Sequence, residues 1–267
     1  MDFSKIKMVV TDMDGTLLNS NHEVSPQFYT LFEELKKRGI IFVAASGRQY
    51  NSIIEKLHPI KDDIIVIAEN GGYAKKQDQE LFATPIDKKI AYDILHLLKN
   101  VNDVHPVLCS KNKAYINGTS PDFILMIKEF YSEFQVIENQ LNVEEEILKI
   151  AVYHFENSEK FIYPNVKHLE KNLKVKVSGP NWVDISHQNA NKGYALQKVM
   201  DDYGITSDEV MVFGDYNNDI EMLQLATHSF AMANAHPNVL KTAKYRTLSN
   251  DENGVEHILE QVLGIKK

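Results

Sequence analysis

The chain has a single cysteine, Cys109, a single tryptophan, Trp182, and no unbroken apolar run longer than Ile40–Ala45. One cysteine closes no internal disulfide and suits a reducing compartment, so a cytoplasmic location is expected. The apolar run falls far below the ~18 residues of a membrane-spanning helix. The stretch Lys5–Val10 is likewise too short for the apolar core of a signal peptide. Basic residues are in deficit, with 29 Lys and Arg against 37 Asp and Glu and a formal net charge of -8, which argues against nucleic acid or an anionic membrane as a partner. None of the ten histidines belongs to a His-Glu-x-x-His or similar ligand pair. Repeats, low-complexity tracts and Pro/Gly-rich linkers are also missing. The remaining composition, 43% hydrophobic and 25% charged over 267 residues, is that of a folded globular protein of one large or two modest domains.

Short apolar runs alternate with helical spacing at both ends of the chain. Lys7–Thr11 reads as a buried strand. Ser25 then caps a helix with Pro26 at its first position and Phe28, Leu31, Phe32 and Leu35 on one face. Gly39 ends that helix, and Ile40–Ala45 forms the next strand. A helix over about 49–57 and a strand over Ile64–Ala68 follow. Near the other end, a helix from about Lys192 stops at Gly204, a strand covers Val210–Phe213, and a helix spans about 217–225. Apolar strands separated by helices point to a doubly wound parallel sheet covered on both faces. The middle differs: helical patterns at 87–99, 121–131 and 157–171 interleave with alternating segments such as Leu173–Val177. That alternation predicts antiparallel strands with one solvated face. The expected fold class is α/β, with a doubly wound catalytic core from residues 1–82 and 187–267 and an inserted α+β domain at 83–186.

The chemistry concentrates where apolar strands end. Asp12-Met13-Asp14-Gly15-Thr16 follows the first strand, and carboxylates two residues apart on extended backbone project to the same side. Strand C-termini are where open α/β sheets bind ligands. Gly15 permits a sharp turn there, and the Thr16 hydroxyl is expected to fix it by a local hydrogen bond. Paired carboxylates repel, so a cation is the expected third party. A second acidic cluster, Gly214-Asp215-Tyr216-Asn217-Asn218-Asp219, also follows an apolar strand. Ser46-Gly47-Arg48 supplies a hydroxyl and a glycine amide at another strand end, a pairing suited to phosphate oxygens. Asn191-Lys192-Gly193 places an ammonium at a helix start. A calcium loop is excluded: its sixth and twelfth positions require Gly and Glu, but the chain has Leu17 and Glu23 counting from Asp12, and Ile220 and Ala226 counting from Asp215.

Taken together and in this order, the four elements resemble the haloacid dehalogenase superfamily of aspartate-based phosphohydrolases. The long interval between Ser46 and Lys192 resembles the large α/β cap of its Cof-type sugar-phosphatase branch, as does Ala68-Glu69-Asn70-Gly71-Gly72 the strand-end loop leading into it. The resemblance implies a Mg2+-dependent phosphatase of small phosphorylated metabolites. Asp12 would be the nucleophile that forms an aspartyl-phosphate, and Asp14 the acid and base. The metal ligands would be the side chains of Asp12 and Asp215 and the backbone carbonyl of Asp14. Ser46, the amides of Met13 and Gly47, Lys192 and Asn218 would hold the phosphoryl oxygens. Thr16 and Asp219 would support them, Asp219 by positioning Lys192 or bracing the metal ligands. Specificity would reside in the cap.

Two other functions use similar residues. A phosphomutase would share the aspartyl-phosphate, but such enzymes resemble the branch with a helical cap between the first two motifs, and one helix and one strand fill the space between Asp12 and Ser46. A phospho-acceptor switch would need no inserted domain, and an adjacent Asp14 would shorten the life of its phosphoaspartate. Elsewhere, plain structural roles are expected. Trp182 reads as packing, Cys109 as inert, Glu144-Glu145-Glu146 as a solvated helix start and Asn117-Gly118-Thr119 as a turn, while Arg48 fits a substrate contact or a salt bridge.

Overall fold

A computed structural model describes residues 2–118, 120–128, 131 and 133–265; Thr119 of the Asn117-Gly118-Thr119 turn lies outside them. The chain divides into two compact units, Met1–Phe82 with Asn191–Lys267, and Ala83–Ala190. In chain order, the first part comprises β1 (Met8–Thr11), α1 (Pro26–Lys37), β2 (Ile41–Ala45), α2 (Tyr50–Lys56), β3 (Ile65–Ala68), β4 (Tyr73–Lys76) and β5 (Gln79–Ala83). The inserted unit carries α3 (Lys88–Leu98), β6 (Val104–Ser110), β7 (Ala114–Asn117), α4 (Pro121–Ile127), β8 (Phe134–Ile137), β9 (Ile147–His154), α5 (Ser158–Phe161), α6 (Tyr163–Val166), β10 (Leu173–Gly179) and β11 (Trp182–His187). The chain returns through α7 (Lys192–Tyr203), β12 (Val210–Gly214), α8 (Ile220–Leu225), β13 (His228–Ala231), α9 (Pro237–Thr242), β14 (Tyr245–Arg246) and α10 (Gly254–Val262). The second boundary, at Ala190/Asn191, falls a few residues beyond the expected 186/187, because β11 pairs with β10 as far as His187.

The sheet of the first unit runs β14-β13-β12-β1-β2-β3-β4-β5. Its members from β14 to β3 are parallel, and β4 is antiparallel to β3. Every residue of β1 and of β3 is buried, as expected for strands with helices on both faces. Helix α1 shows how the sequence writes this. The Ser25 hydroxyl accepts the Phe28 N–H, Pro26 occupies the first turn, and Phe28, Leu31, Phe32 and Leu35 are buried. Parallel pairing sets the register: Thr11 lies opposite both Phe213 and Ala44, and Ala45 opposite Ile67. The residues just beyond these strands therefore emerge along one edge, bringing Asp12, Ser46, the loop after Ala68, and Asp215 to the same place.

The inserted unit holds a sheet of order β10-β11-β9-β6-β7-β8, antiparallel except for β7 with β8. Its central strands are buried on both faces, which departs from the single solvated face expected from β10. Along β9, Ile150 and Val152 pack with Ile94 and Leu95 of α3, Ile162 between α5 and α6, and Val166 of α6. Ala151 and Tyr153 pack on the opposite side with Phe123 and Ile127 of α4. Glu144-Glu145-Glu146 is not a helix start but the approach to β9. Each glutamate has its own partner: Lys88 for Glu144, Tyr115 for Glu145 and Lys111 for Glu146. Trp182 packs among Tyr131 and Tyr153. No described helix in either unit is long and apolar enough to cross a membrane.

Two left-handed glycines provide a test of what fixes this edge. Gly71 has φ +92, and a Cβ there would collide with the Asn191 carbonyl and come within 2.9 Å of the Lys192 nitrogen. Gly39 has φ +70 and nothing within 4 Å of the same position. Gly39→Ala is expected to cost only the left-handed backbone penalty, about 1–2 kcal/mol. Gly71→Ala adds overpacking of about 1–3 kcal/mol to it. Urea unfolding of both variants measures the difference, and equal losses would show that the Gly71–Asn191 contact does not matter.

Candidate active site

Four strand ends and one helix build the site, all within the first unit. Asp12 directly follows β1, is buried, and its N–H donates to the Phe213 carbonyl at 3.1 Å, so the β1–β12 ladder places it. Lys192 is the first residue of α7, with Asn191 as the cap that accepts the Tyr194 N–H at 2.7 Å. Its side chain is 0% exposed, and Nζ donates to Asp12 Oδ1 at 2.5 Å and to Asp219 Oδ1 at 2.7 Å. The other Asp219 oxygen accepts the N–H groups of Asp215 at 2.9 Å and Tyr216 at 3.1 Å. Both oxygens of Asp219 are thus occupied in holding Lys192 and the loop that carries Asp215. Carboxylate oxygens of Asp12, Asp215 and Asp219 lie within 4.8 Å of one another.

Thr16 behaves differently from its local expectation. Its hydroxyl donates to Asp215 Oδ1 at 3.0 Å, tying the first acidic motif to the last rather than closing its own turn. The Met13 side chain is fully buried, which fixes the backbone between the two aspartates. Ser46 is buried at the end of β2, where its N–H donates to Ile67 at 2.8 Å and its Oγ accepts the Arg48 N–H at 3.1 Å. Asn70 is a member of the site that its own sequence signal, a strand-end Glu-Asn-Gly-Gly, left without a role. Its N–H donates to the Ser46 carbonyl at 3.0 Å and its Oδ1 accepts Asn218 Nδ2 at 2.9 Å. A Cβ on Gly47 would lie 3.0 Å from the Asn70 amide, so that position admits only a close backbone. Asn218 and Ser46 are therefore joined through one asparagine, whose side chain also lies close to Gly47.

Asp14 stands apart from this cluster. Arg48 Nε donates to its Oδ2 and Nη2 to its Oδ1, each at 2.6 Å, and His22 Nδ1 lies 3.3 Å from Oδ1. Of the two uses expected for Arg48, the structure shows the salt bridge. No sequence motif announces His22.

The charges divide the two aspartates. Burial pushes the Asp12 carboxyl well up, and Asp219 and Asp215 push the same way against the opposing pull of Lys192. Asp215 is also raised, by burial first and then by Asp219. Burial works against the charge on Lys192, but Asp12 and Asp219 outweigh it and hold its proton more tightly than in an ordinary lysine. For Asp14, burial is again the largest single influence and acts upward. The hydrogen bonds and charge of Arg48, with His22, overcome it and leave the carboxyl lowered. Three clustered carboxylates face one ammonium, an excess of two negative charges in a buried place. An all-oxygen donor set with that excess fits a hard divalent cation.

The comparisons with known proteins agree with this geometry. A family model described as haloacid dehalogenase-like hydrolase matches residues 9–259. The chain is 32% identical over 265 residues to the 5-amino-6-(5-phospho-D-ribitylamino)uracil phosphatase of Escherichia coli strain K12, covering 97% of this chain and 96% of that protein. It is 28% identical to a Bacillus subtilis strain 168 phosphatase named for the same substrate, covering 97% and 98%. A solved structure from Eubacterium rectale, 29% identical, matches with a TM-score of 0.91 over 97% of this chain and 99% of that one.

The raised carboxyls make metal binding visible in stability. A carboxyl raised in the folded state stabilises fully below its unfolded pKa of about 4 and loses that contribution as pH rises through its folded value. Asp14 acts in the opposite sense, stabilising above about pH 4 and losing its contribution below. In metal-stripped protein, millimolar Mg2+ should raise Tm by about 5 °C near neutral pH. The gain should shrink as pH falls, because protons compete with the cation for Asp12 and Asp215. Asp215→Asn should remove most of it. A pH-independent shift, or one that survives Asp215→Asn, would place the cation elsewhere.

Proposed function

Because this chain belongs to the haloacid dehalogenase-like hydrolase family, we propose that it hydrolyses small phosphorylated metabolites through an aspartyl-phosphate on Asp12. It is a phosphoric monoester hydrolase of the Cof type, as its named relatives are phosphatases. The observation that carries the mechanism is the buried Lys192 bridge between Asp12 and Asp219, with Asp215 beside it.

The physical problem is the attack of a carboxylate on a dianionic phosphate. At about 4 Å and an effective dielectric near 20, the repulsion is on the order of 8 kcal/mol. Bound Mg2+ would supply charge neutralisation between nucleophile and phosphate, held by the side chains of Asp12 and Asp215 and the backbone carbonyl of Asp14. Lys192 contributes a fixed positive charge beside the attacking oxygen and towards the transferring phosphoryl group. Ser46, the amides of Met13 and Gly47, and Asn218 hold the remaining phosphoryl oxygens, with Asn70 fixing Asn218 relative to the Ser46 loop. Asp12 attacks phosphorus while Asp14 gives a proton to the departing alcohol. Asp14 then takes a proton from the water that attacks the aspartyl-phosphate, and phosphate leaves. The two turnovers of the Asp14 proton cancel.

The substrate named for two relatives carries its phosphate on a ribityl chain, an alkyl phosphomonoester with a poor leaving group. Esters of that type need the acid that Asp14 would supply. Choice among them belongs to residues 83–190, the inserted unit.

Asp12→Asn keeps the shape of the nucleophile without its charge, so turnover should fall by several orders of magnitude with the fold unchanged. Retention of more than about a tenth of wild-type turnover would rule out the assignment. Asp14→Asn should slow alkyl phosphates more than p-nitrophenyl phosphate, since p-nitrophenolate departs with little protonation. Equal losses on the two esters would count against Asp14 as the acid.

A further inference from the structure

We propose that a cavity within the inserted unit binds a small organic ammonium, with its apolar body beside Ala91 and its N–H group on Gln140 Oε1. The cavity, of about 250 Å3, lies between the start of α3 and the segment Gln140–Ile147 that leads into β9. Every residue that lines it belongs to that unit.

The sequence of α3 opens this space. Its buried face carries Ala91, Ile94, Leu95 and Leu98, so the one methyl side chain of that face falls where the helix begins. Leu95, Leu108 and Ile147 supply apolar lining around it, and all three are buried in the core of the unit. The Ile86 N–H donates to the Ile147 carbonyl at 2.8 Å, tying the approach to α3 to the start of β9. Protein cores otherwise pack closely enough to leave few voids of this size.

Gln140 gives the cavity its polar group. Its Nε2 donates to the carbonyls of Pro106 at 2.7 Å and Tyr115 at 3.0 Å. Carbonyls only accept, so the amide can face them only with its nitrogen. Oε1 then receives no N–H or O–H from any described residue, and it is not sealed among them. Gln140 is 7% exposed and borders the cavity, so that is where its acceptor opens. A buried acceptor of this kind calls for a donor.

The charges around the cavity favour a donor that is positive. Asp87, Glu144, Glu145 and Glu146 present four carboxylates, and Lys88 is the one ammonium of the lining. From outside it, Lys111 pairs with Glu146, and Lys113 acts on Glu145. Glu144 is 83% exposed and bonds Lys88 Nζ at 2.6 Å, an exposed pair that exchanges partners at little cost. The same Nζ stands 5.8 Å from the centroid of the Tyr92 ring, so an aromatic face of the lining already meets an ammonium. An anion would meet the carboxylates and find Oε1 unable to donate.

Binding is read on the full chain by calorimetry and amide NMR, with saturating Mg2+ to occupy the carboxylates around Asp12. Three probes share a phenethyl body and differ in charge: phenethylammonium, phenethyl alcohol and hydrocinnamate. The ammonium should bind about tenfold more tightly than the alcohol, and the carboxylate should not bind. Its amide shifts should fall on α3 and residues 140–147. Ala91→Leu fills the space and should abolish binding, with a native spectrum and an unchanged or higher Tm. Glu144→Gln, at an exposed side chain, should weaken the ammonium about threefold and leave the alcohol as it was. The proposal is overturned if the ammonium does not bind, if the alcohol or carboxylate binds as tightly, or if natively folded Ala91→Leu still binds it. It is equally overturned if Glu144→Gln affects ammonium and alcohol alike, or if the shifts gather around Asp12. No readout is hydrolysis, so none of these results bears on the phosphatase reading.

Discussion

Lys192 is an ammonium with no exposure to solvent, at the N-terminal end of a helix, where the backbone dipole already disfavours positive charge. Burying such a group is tolerable only with good ionic partners, and removal of one partner from a buried pair costs about 3–5 kcal/mol. Asp12 and Asp219 are those partners, and each comes from a different part of the chain. Asp12 is delivered by the β1–β12 ladder, Asp219 by the turn after β12, and Lys192 by a helix whose first residues lie against the Gly71 backbone. The rest of the edge follows from keeping these three together. Asp219 uses its second oxygen to clamp the Asp215 loop, and Thr16 fastens Asp215 to the first motif. The result is a pocket in which each charged group is held by a hydrogen bond to another part of the edge.

Within that pocket, two aspartates of one motif acquire opposite characters from their surroundings alone. The Asp12 carboxyl is pushed up by burial and by two further carboxylates, against the pull of Lys192, while a two-point Arg48 salt bridge outweighs burial and leaves the Asp14 carboxyl lowered. The proposed attack needs an ionised Asp12, which burial and the two neighbouring carboxylates oppose. A divalent cation held by these carboxylates would offset the excess of negative charge and favour the ionised form of Asp12, and a phosphate bound in the proposed reaction would in turn favour the cation. Both shifts run against the proposed roles, so the proposed reaction requires charge neutralisation beside Asp12 and release of Asp14 from Arg48 before it can carry a proton.

The sequence made the frame of the first unit plain because each element there is signalled locally. The capped, apolar-faced α1 and the wholly apolar β1, β2, β3 and β12 need no information from elsewhere. Most motif residues were readable for the same reason, as they follow apolar strands, and Lys192 was readable from its place at a capped helix start. What escaped was most of the partnering fixed by tertiary register, although the resemblance implied that Asp219 positions Lys192. The Thr16–Asp215, Asn70–Asn218 and Arg48–Asp14 hydrogen bonds join residues from distant parts of the chain. Nothing local in a threonine after a glycine tells it to ignore its own turn. In the inserted unit, β10 advertises one wet face, yet β9 beside β11 is packed on both sides, since α4 covers the second face from a position the strand pattern does not encode. The Glu144–Glu146 run looked like a helix start by charge alone, and its lysine and tyrosine partners lie on three other segments.

The same long-range register makes assembly of the site and closure of the sheet one event. Asp12, Ser46 and Asn70 come from before the insertion, and Lys192, Asp215, Asn218 and Asp219 from after it. The two flanks meet through parallel pairing of β1 with β12, a non-local contact whose entropy cost falls on the chain before any packing rewards it. Pairing at that seam also brings Asp12 up against Asp215 and Asp219, so carboxylate repulsion opposes the sheet at its centre. Lys192 relieves part of the repulsion because α7 is the first element of the returning chain and lies directly against both partners. It does not relieve all of it, and the residual negative charge sits where phosphate chemistry requires a cation. The feature that opposes closure of the sheet is therefore the same three oxygens on which the proposed chemistry depends, and a cation bound there would stabilise the β1–β12 seam.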